Sequence, residues 1–243
     1  MERAAVGGAG GAGGRMLDLH GYGGAILAGT WINVACGVLA LAVSVVLGIL
    51  AALAKLSSRG WLRGIATAYT TLIRGVPDLL MMLLIYFGGQ VLVNQLLEAL
   101  GSEDYVDVNP FVAGVISIGF IYGAYMTETF RGAILAVPKG QLEAGHAYGM
   151  SGLQVFGRIL MPQMIRHALP SFGNNWLVLL KTTALLSIVG LEDMVRRARL
   201  AAGSTHEPFT FYLAVALIYL VLTTISVWAL RLAEKRYSAG MVR

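Results

Sequence analysis

The stretch "GQLEAGHAYGMSGLQVFGRILMP", Gly140 to Pro162, is polar and punctuated by glycine in a chain whose other long segments are almost uniformly apolar. Its local signals predict two short helices. Pro138, just ahead of the stretch, fits the first turn of a helix, where a missing N–H costs nothing, and Gly149 can end that helix in a left-handed cap. Ser151 and Gln154 then have the spacing of a capping box, Leu153, Phe156 and Leu160 recur on one face, and Pro162 is expected to close the run. Two helices joined by a glycine turn form a compact projection. Such a loop either packs on its own neighbours or keeps a face free for a partner.

Across the whole chain 57% of residues are hydrophobic and 13% are charged, a balance that predicts an all-α integral membrane protein. A spanning helix needs about 20 mostly apolar residues, and five places supply them. These are Gly24 to Ala54, Leu79 to Leu97, Pro110 to Thr127, a segment within Pro170 to Leu191, and Phe209 to Leu232. Pro77 should break the helix before the second span, where Arg74 and Asp78 sit one turn apart as a candidate ion pair. Gly64 to Ile73 belongs either to that span or to the interface. Residues 1–18 are read as a mobile glycine-rich tail, with "MERAAVGGAGGAGGR" lacking the apolar core of a signal peptide, and residues 19–243 as the membrane domain. Gly8, Gly10 and Gly13 have dinucleotide-site spacing, but no strand precedes them.

Lysine and arginine set the orientation. The first connection carries Lys55, Arg59 and Arg63 with no acid, whereas the second carries Glu98, Glu103, Asp104 and Asp107 with no base. Arg131 to His167 is again basic, Leu191 to Pro208 is balanced, and Lys235, Arg236 and Arg243 follow the last span. The amino end is therefore expected outside, and the carboxyl end and the loop in the cytoplasm; with the resemblance given below, the outside is the periplasm. The net charge of +5 is a topology signal, and no nucleic-acid partner is expected.

The loop residues resemble the EAA loop of bacterial ATP-binding-cassette (ABC) importer permeases, whose pattern is E-A-A, three residues, G, nine residues, I-x-L-P. Glu143, Ala144, Gly145, Gly149, Ile159, Met161 and Pro162 fall on it without a gap, with Gly145 in place of alanine and Met161 in place of leucine. On helix propensity alone Gly145 weakens the first helix by roughly 1 kcal/mol. The likeness extends to "YTTLIRGVPDLLMMLLIYFG" from Tyr69, "GFIYGAYMTETFRGAILAVPKG" from Gly119, "GNNWLVLLKTTALLSIVGLED" from Gly173 and "EKRYSAG" from Glu234. Together these resemble the polar-amino-acid permeases, above all the Q-type subunits of histidine and lysine/arginine/ornithine importers.

That resemblance implies a five-span subunit that pairs with a homologous M-type subunit, two copies of a cytoplasmic ABC ATPase and a periplasmic amino-acid-binding protein. It implies that this chain is not itself an enzyme and binds no cofactor, ATP and Mg belonging to the ATPase. The loop, about 138–162 and including Gln141, is then the element that couples to the ATPase. The implied cargo is cationic L-amino acids, with glutamine or glutamate as the alternative, and the implied location is the bacterial inner membrane.

Other machinery is not found in the sequence. None of the lysines Lys55, Lys139, Lys181 and Lys235 follows a glycine, so there is no G-K-[ST] phosphate loop. There is no H-E-x-x-H or paired-cysteine metal site, and the single Cys36 reads as packing. Polar residues within apolar spans are the candidates for a translocation pathway. Lys181 either faces a cavity or pairs with Glu128, while Glu128 and Arg131 are spaced to neutralise each other. Tyr122 and Tyr125 can offer aromatic faces to a cation with Glu128 as counter-charge. Asn174 and Asn175 either line a pathway or anchor an entry to the membrane. Gly119 and Gly123 form a G-x-x-x-G pair suited to close helix packing. An ion-coupled secondary transporter using Glu128 and Lys181 is the rival reading, but no internal repeat supports it.

Overall fold

The computed structural model describes residues 19–101 and 105–238, so the expectations for residues 1–18, Glu103, Asp104 and Arg243 lie outside it. Every regular element among the described residues is helical. Four helices come first: α1 (Gly23–Leu56), α2 (Gly60–Gly75), α3 (Asp78–Ala99) and α4 (Pro110–Leu135). The short α5 (Lys139–Ala147) and α6 (Gly152–Val155) follow, then α7 (Met161–Thr182), α8 (Met194–Thr205) and α9 (Pro208–Ser238).

The core is organised on α4, which packs along α1 more extensively than any other pair of helices. Small residues bring the two together. A Cβ on Gly119 would stand 2.6 Å from Val43 Cγ1, and one on Gly123 would stand 2.7 Å from the Tyr69 hydroxyl and 3.0 Å from Leu47 Cβ. The G-x-x-x-G pair is thus a packing surface, as its spacing predicts. Large apolar side chains stay exposed on the outer sides of α1, α3 and α9, among them Leu50, Leu84, Val91, Leu220 and Ile225. A bilayer is the solvent that suits such a surface, since a helix satisfies its own backbone polar groups there.

Val76, held extended before Pro77 (φ −112°, ψ 141°), separates α2 from α3. Gly64 to Ile73 therefore lies in its own helix, which buries Ala66, Thr70 and Ile73 along one stripe. The connection from α3 to α4 is tied by side-chain amides: Gln90 Oε1 accepts the Val108 N–H at 2.8 Å, and Asn94 Oδ1 accepts the Val106 N–H at 2.8 Å. Asn109 then caps α4, with Pro110 in its first turn.

Two expectations need correction. Pro162 does not close the second loop helix. The chain passes from α6 through a π-helical turn, Phe156–Leu160, directly into α7, and Pro162 sits in the first turn of that helix. The Met161 N–H bonds back five residues to the Phe156 carbonyl, so the backbone is already widened where the proline ring must fit. The fourth apolar segment also differs, because α7 begins well before Pro170, holds it internally and ends in a 3-10 turn, Thr183–Ser187. Among the described residues, only α1, α3, α4 and α9 are long and apolar enough to cross a membrane by composition. Polar residues of α7, among them Arg166, His167, Asn174, Asn175 and Lys181, lower its apolar character.

The balanced segment after Leu191 contains α8, capped by Asp193, whose Oδ1 accepts the Arg196 N–H at 2.8 Å. A buried polar knot holds this cap against α1. Asn33 donates to Asp193 Oδ2 at 3.1 Å and to Thr183 Oγ1 at 3.2 Å, and its Oδ1 accepts the Met194 N–H at 3.0 Å. Burial pushes the Asp193 carboxyl above its ordinary pKa, and these hydrogen bonds pull it back.

Candidate functional site

The loop between α4 and α7 turns at Gly149, whose φ of +79° is the left-handed conformation that its position predicts. There the Gly149 N–H donates to the His146 carbonyl at 2.9 Å and the Met150 N–H to the Gly145 carbonyl at 3.1 Å. The capping box is formed reciprocally: the Ser151 N–H donates to Gln154 Oε1 at 2.8 Å, and the Gln154 N–H to Ser151 Oγ at 3.4 Å.

The loop packs through side chains that the apolar spacing of Leu153, Phe156 and Leu160 does not single out. Val155 is buried and Ile159 half-buried beside Gly145, whereas Leu153 is 84% exposed and Phe156 is exposed as well. Leu153 and Phe156 lie on an exposed face, Leu160 is half-buried, and the π turn changes the helical register of the residues that follow it. A Cβ on Gly145 would stand 2.6 Å from Ile159 Cδ1 and 3.1 Å from Val155 Cγ2, so glycine here lets α5 close on α6. Packing thereby offsets the helix propensity that alanine would add.

An open groove of about 430 Å³ runs between α5 and the start of α7, lined by Gln141, Ala144, Gly145, Tyr148, Ile159 and Gln163. Gln163 Nε2 donates to Gln141 Oε1 at 2.5 Å across it. Glu143 is exposed, Tyr148 is 90% exposed, and Met161 and Pro162 lie where the loop enters α7. The loop thus presents a polar and aromatic tip on a base locked by hydrogen bonds.

The second feature is an open polar cavity of about 500 Å³, lined from α2 by Arg74, from α4 by Tyr125, Glu128 and Thr129, and from α7 by Ser171, Asn174 and Asn175. Four of the six candidate pathway residues, Tyr125, Glu128, Asn174 and Asn175, are brought together here. Tyr122 is buried behind them, its hydroxyl 2.6 Å from Thr182 Oγ1 and donating to Asp78 Oδ2 at 3.3 Å. Lys181 does not line the cavity. It is exposed and has neither a hydrogen bond nor an ion pair among the described residues, so its pairing with Glu128 is not formed.

Glu128 is taken by other cations. Lys55 Nζ approaches its Oε1 at 2.5 Å from the last turn of α1, and Arg131 Nη2 lies 3.0 Å from its Oε2. The side chains of Lys55 and Glu128 are only 12% and 22% exposed, so this is a shielded pair and not a solvated surface bridge. Arg74 and Asp78 also differ from expectation. They form no ion pair; the Arg74 guanidinium lies 5.5 Å from the centre of the Tyr125 ring, and the Asp78 carboxylate accepts hydrogen bonds from both Tyr122 and Tyr125. The break at Pro77 turns the two side chains out of the one-turn register that a continuous helix would give them.

Sequence reasoning missed Arg74 as a cavity residue, Lys55 as the partner of Glu128, and Asn33 as the centre of the α8 anchor. Asn33 carried a legible signal, a lone amide midway along an apolar helix. Lys55 carried none beyond its charge, because it sits among other basic residues at the end of an apolar run.

A bundle of apolar helices with an open polar cavity among them and a two-helix projection between α4 and α7 is the arrangement of a membrane permease. Residues 44–239 match the binding-protein-dependent transport system inner membrane components, and the chain belongs to that family. It is 50% identical over 225 residues to the histidine/lysine/arginine/ornithine transport system permease protein HisQ of Escherichia coli, a match covering 93% of this chain and 98% of that protein. It is 43% identical over 223 residues to the octopine transport system permease protein OccQ of Rhizobium radiobacter, covering 92% and 94%. Among solved structures, an amino acid ABC transporter crystallised with histidines aligns with a TM-score of 0.76 at 32% identity, over 91% of this chain and 98% of that one. The MetNI methionine ABC transporter in an inward-facing conformation shares the fold at 14% identity, with a TM-score of 0.65 over 93% of this chain and 98% of its own.

Proposed function

We propose that this chain is the Q-type membrane subunit of an ABC importer for cationic L-amino acids, among them histidine, arginine, lysine and ornithine. The observation that carries this reading is the 50% identity to HisQ across nearly the full length of both chains. The subunit pairs with a homologous M-type subunit, two copies of an ABC ATPase and a periplasmic amino-acid-binding protein. It carries no cofactor; ATP and Mg act on the ATPase. Five helices cross the inner membrane, with α7 as the fourth, the amino end outside and the carboxyl end inside. The basic connection after α1 and the acidic residues after α3 support that orientation.

The loop around Glu143 and Gly149 docks on the ATPase, with Tyr148 and Leu153 at its exposed tip. Closure of the ATPase dimer by ATP moves this lever, and α4 and α7, which flank it, shift as rigid bodies so that the pathway alternates between the two sides. Tyr125, Asn174 and Asn175 line the path, and Tyr122 supports it from behind. Glu128 braces the cytoplasmic end of α4 against α1 through Lys55. The test is reconstitution with the three partners. Uptake should require ATP, the ATPase and the binding protein together.

A further inference from the structure

Two contacts fix the depth of Lys181 in the bundle. The hydroxyl of its neighbour Thr182 lies 2.6 Å from that of Tyr122, a residue midway along α4. A Cβ on Gly37, near the middle of α1, would stand 3.6 Å from Thr183 Cγ2 and 3.7 Å from Leu180 Cδ1. Both α1 and α4 are long and apolar enough to cross a membrane, which puts Lys181 near the mid-plane of the bilayer. Half of a hydrocarbon core roughly 30 Å thick exceeds the reach of a four-carbon stem, so the ammonium does not snorkel to the headgroups. Its side chain is nevertheless exposed, with neither a hydrogen bond nor an ion pair among the described residues.

Lys181 ends a stripe. His167, Ser171, Asn174, Val178 and Lys181 follow at intervals of three or four residues, and all are exposed on one side of α7. Another side of the same helix carries Met161, Ile165, Ala168 and Phe172, which line an apolar groove with Val45 and Ile49 of α1. Lipid suits that second face. It does not suit the first, because an unpaired charge in hydrocarbon is costly and polar side chains at this depth face protein or water.

Among the described residues no carboxylate is left to meet Lys181. Asp78 is held by Tyr122 and Tyr125, Glu128 by Lys55 and Arg131, and Asp193 is buried in the cap of α8. The other described acids lie in connections, in the loop or near helix ends. A second copy of this chain, packed through the same face, would bring another lysine and no acid.

We propose that the exposed stripe of α7 packs against a second, unlike membrane subunit, and that a carboxylate of that subunit neutralises Lys181. Charge complementarity names the occupant, since a lysine at mid-depth needs an anion that a copy of this chain does not supply. The inference rests on the pairing with an M-type subunit put forward above, and it identifies the residue that recognises that partner. It also makes the pairing selective, because two copies would set like charges together in a low dielectric.

The experiment uses the complex of this chain with the M-type subunit and the ATPase. Photo-reactive p-benzoylphenylalanine replaces Val178, one turn from Lys181, and leaves the lysine in place. Irradiation should give a covalent adduct with the M-type subunit, read by mass spectrometry. No adduct, or adducts confined to lipid or to a second copy of this chain, overturn the proposal. Association of the two membrane subunits, each carrying a fluorophore and diluted in detergent micelles, should weaken at least about tenfold in Lys181→Met and by less in Lys181→Arg, since removing one member of a shielded pair strands the other. Amide substitution of the contacted carboxylate should also weaken association, and the two changes together should cost less than the sum of their separate effects. Unchanged association in Lys181→Met, or strictly additive effects, refute the ion pair. If Lys181→Met does not insert, the Val178 adduct and the partner's amide variant decide.

Co-purification of the unaltered chain with the M-type subunit separates the two levels. Co-purification without the adduct removes this inference alone, whereas no co-purification removes the paired-subunit reading and this inference with it.

Discussion

At Gly29 the backbone of α1 runs so near the cap of α8 that a Cβ would stand 2.6 Å from the Met194 nitrogen and 2.8 Å from the Asp193 carbonyl carbon. Neither neighbour is the end of a flexible side chain, so an added methyl must move backbone that the Asn33 knot also holds. Gly132 is a useful contrast, since it lies in α4 with nothing within 4 Å of the same position. Gly29→Ala should therefore destabilise the protein by about 1–3 kcal/mol, whereas Gly132→Ala should be neutral or stabilise it by up to about 1 kcal/mol. Thermal unfolding in detergent compares them, and equal melting temperatures would contradict the packing account. The close approach at Gly119 and Gly123 is legible in the sequence because its two glycines lie one turn apart on one helix. The approach at Gly29 is not, because its partner comes from a distant part of the chain.

Among the elements, the loop and α7 show what a sequence pattern can and cannot carry. Caps are local, so the left-handed turn at Gly149 and the box at Ser151 and Gln154 are readable from neighbouring residues alone. The π turn is not, since it arises where α6 and α7 merge ahead of Pro162; within α6 it is Val155, not Leu153, that packs inward. At Gly149 a β-branched residue would be forced into a backbone region that L side chains rarely adopt. Gly149→Val should leave the membrane helices folded and the complex assembled while abolishing most uptake, with ATP hydrolysis continuing uncoupled. Uptake at the unaltered rate by a correctly inserted Gly149→Val complex would refute the loop's role. The orientation of the helices is tested by single cysteines at Leu100, exposed after α3, and at Ser151, exposed in the loop, in a Cys36→Ala background. A membrane-impermeant maleimide added to intact spheroplasts should label the first and not the second, and labelling of both from one side would rule out the proposed topology.

For the molecule as a whole, composition and the apolar runs determine the class of fold, because bilayer thickness constrains helix length strongly. The proposed pathway is less legible. Polarity in apolar surroundings singles out Tyr125, Asn174 and Asn175, but which pairs form depends on how helices rotate against each other. Glu128 is consequently braced by Lys55, and Lys181 lies outside the cavity. The central claim, an ATP-driven importer of cationic amino acids, is tested most directly in proteoliposomes. The complex of this chain, the proposed M-type partner and the ATPase is supplied with the binding protein, and uptake of labelled L-histidine is followed with and without ATP. The account predicts uptake only with ATP, inhibited by excess L-arginine or L-lysine and not by L-glutamate. Uptake driven by an ion gradient without the ATPase, or inhibition by glutamate and by none of the cationic amino acids, would contradict it.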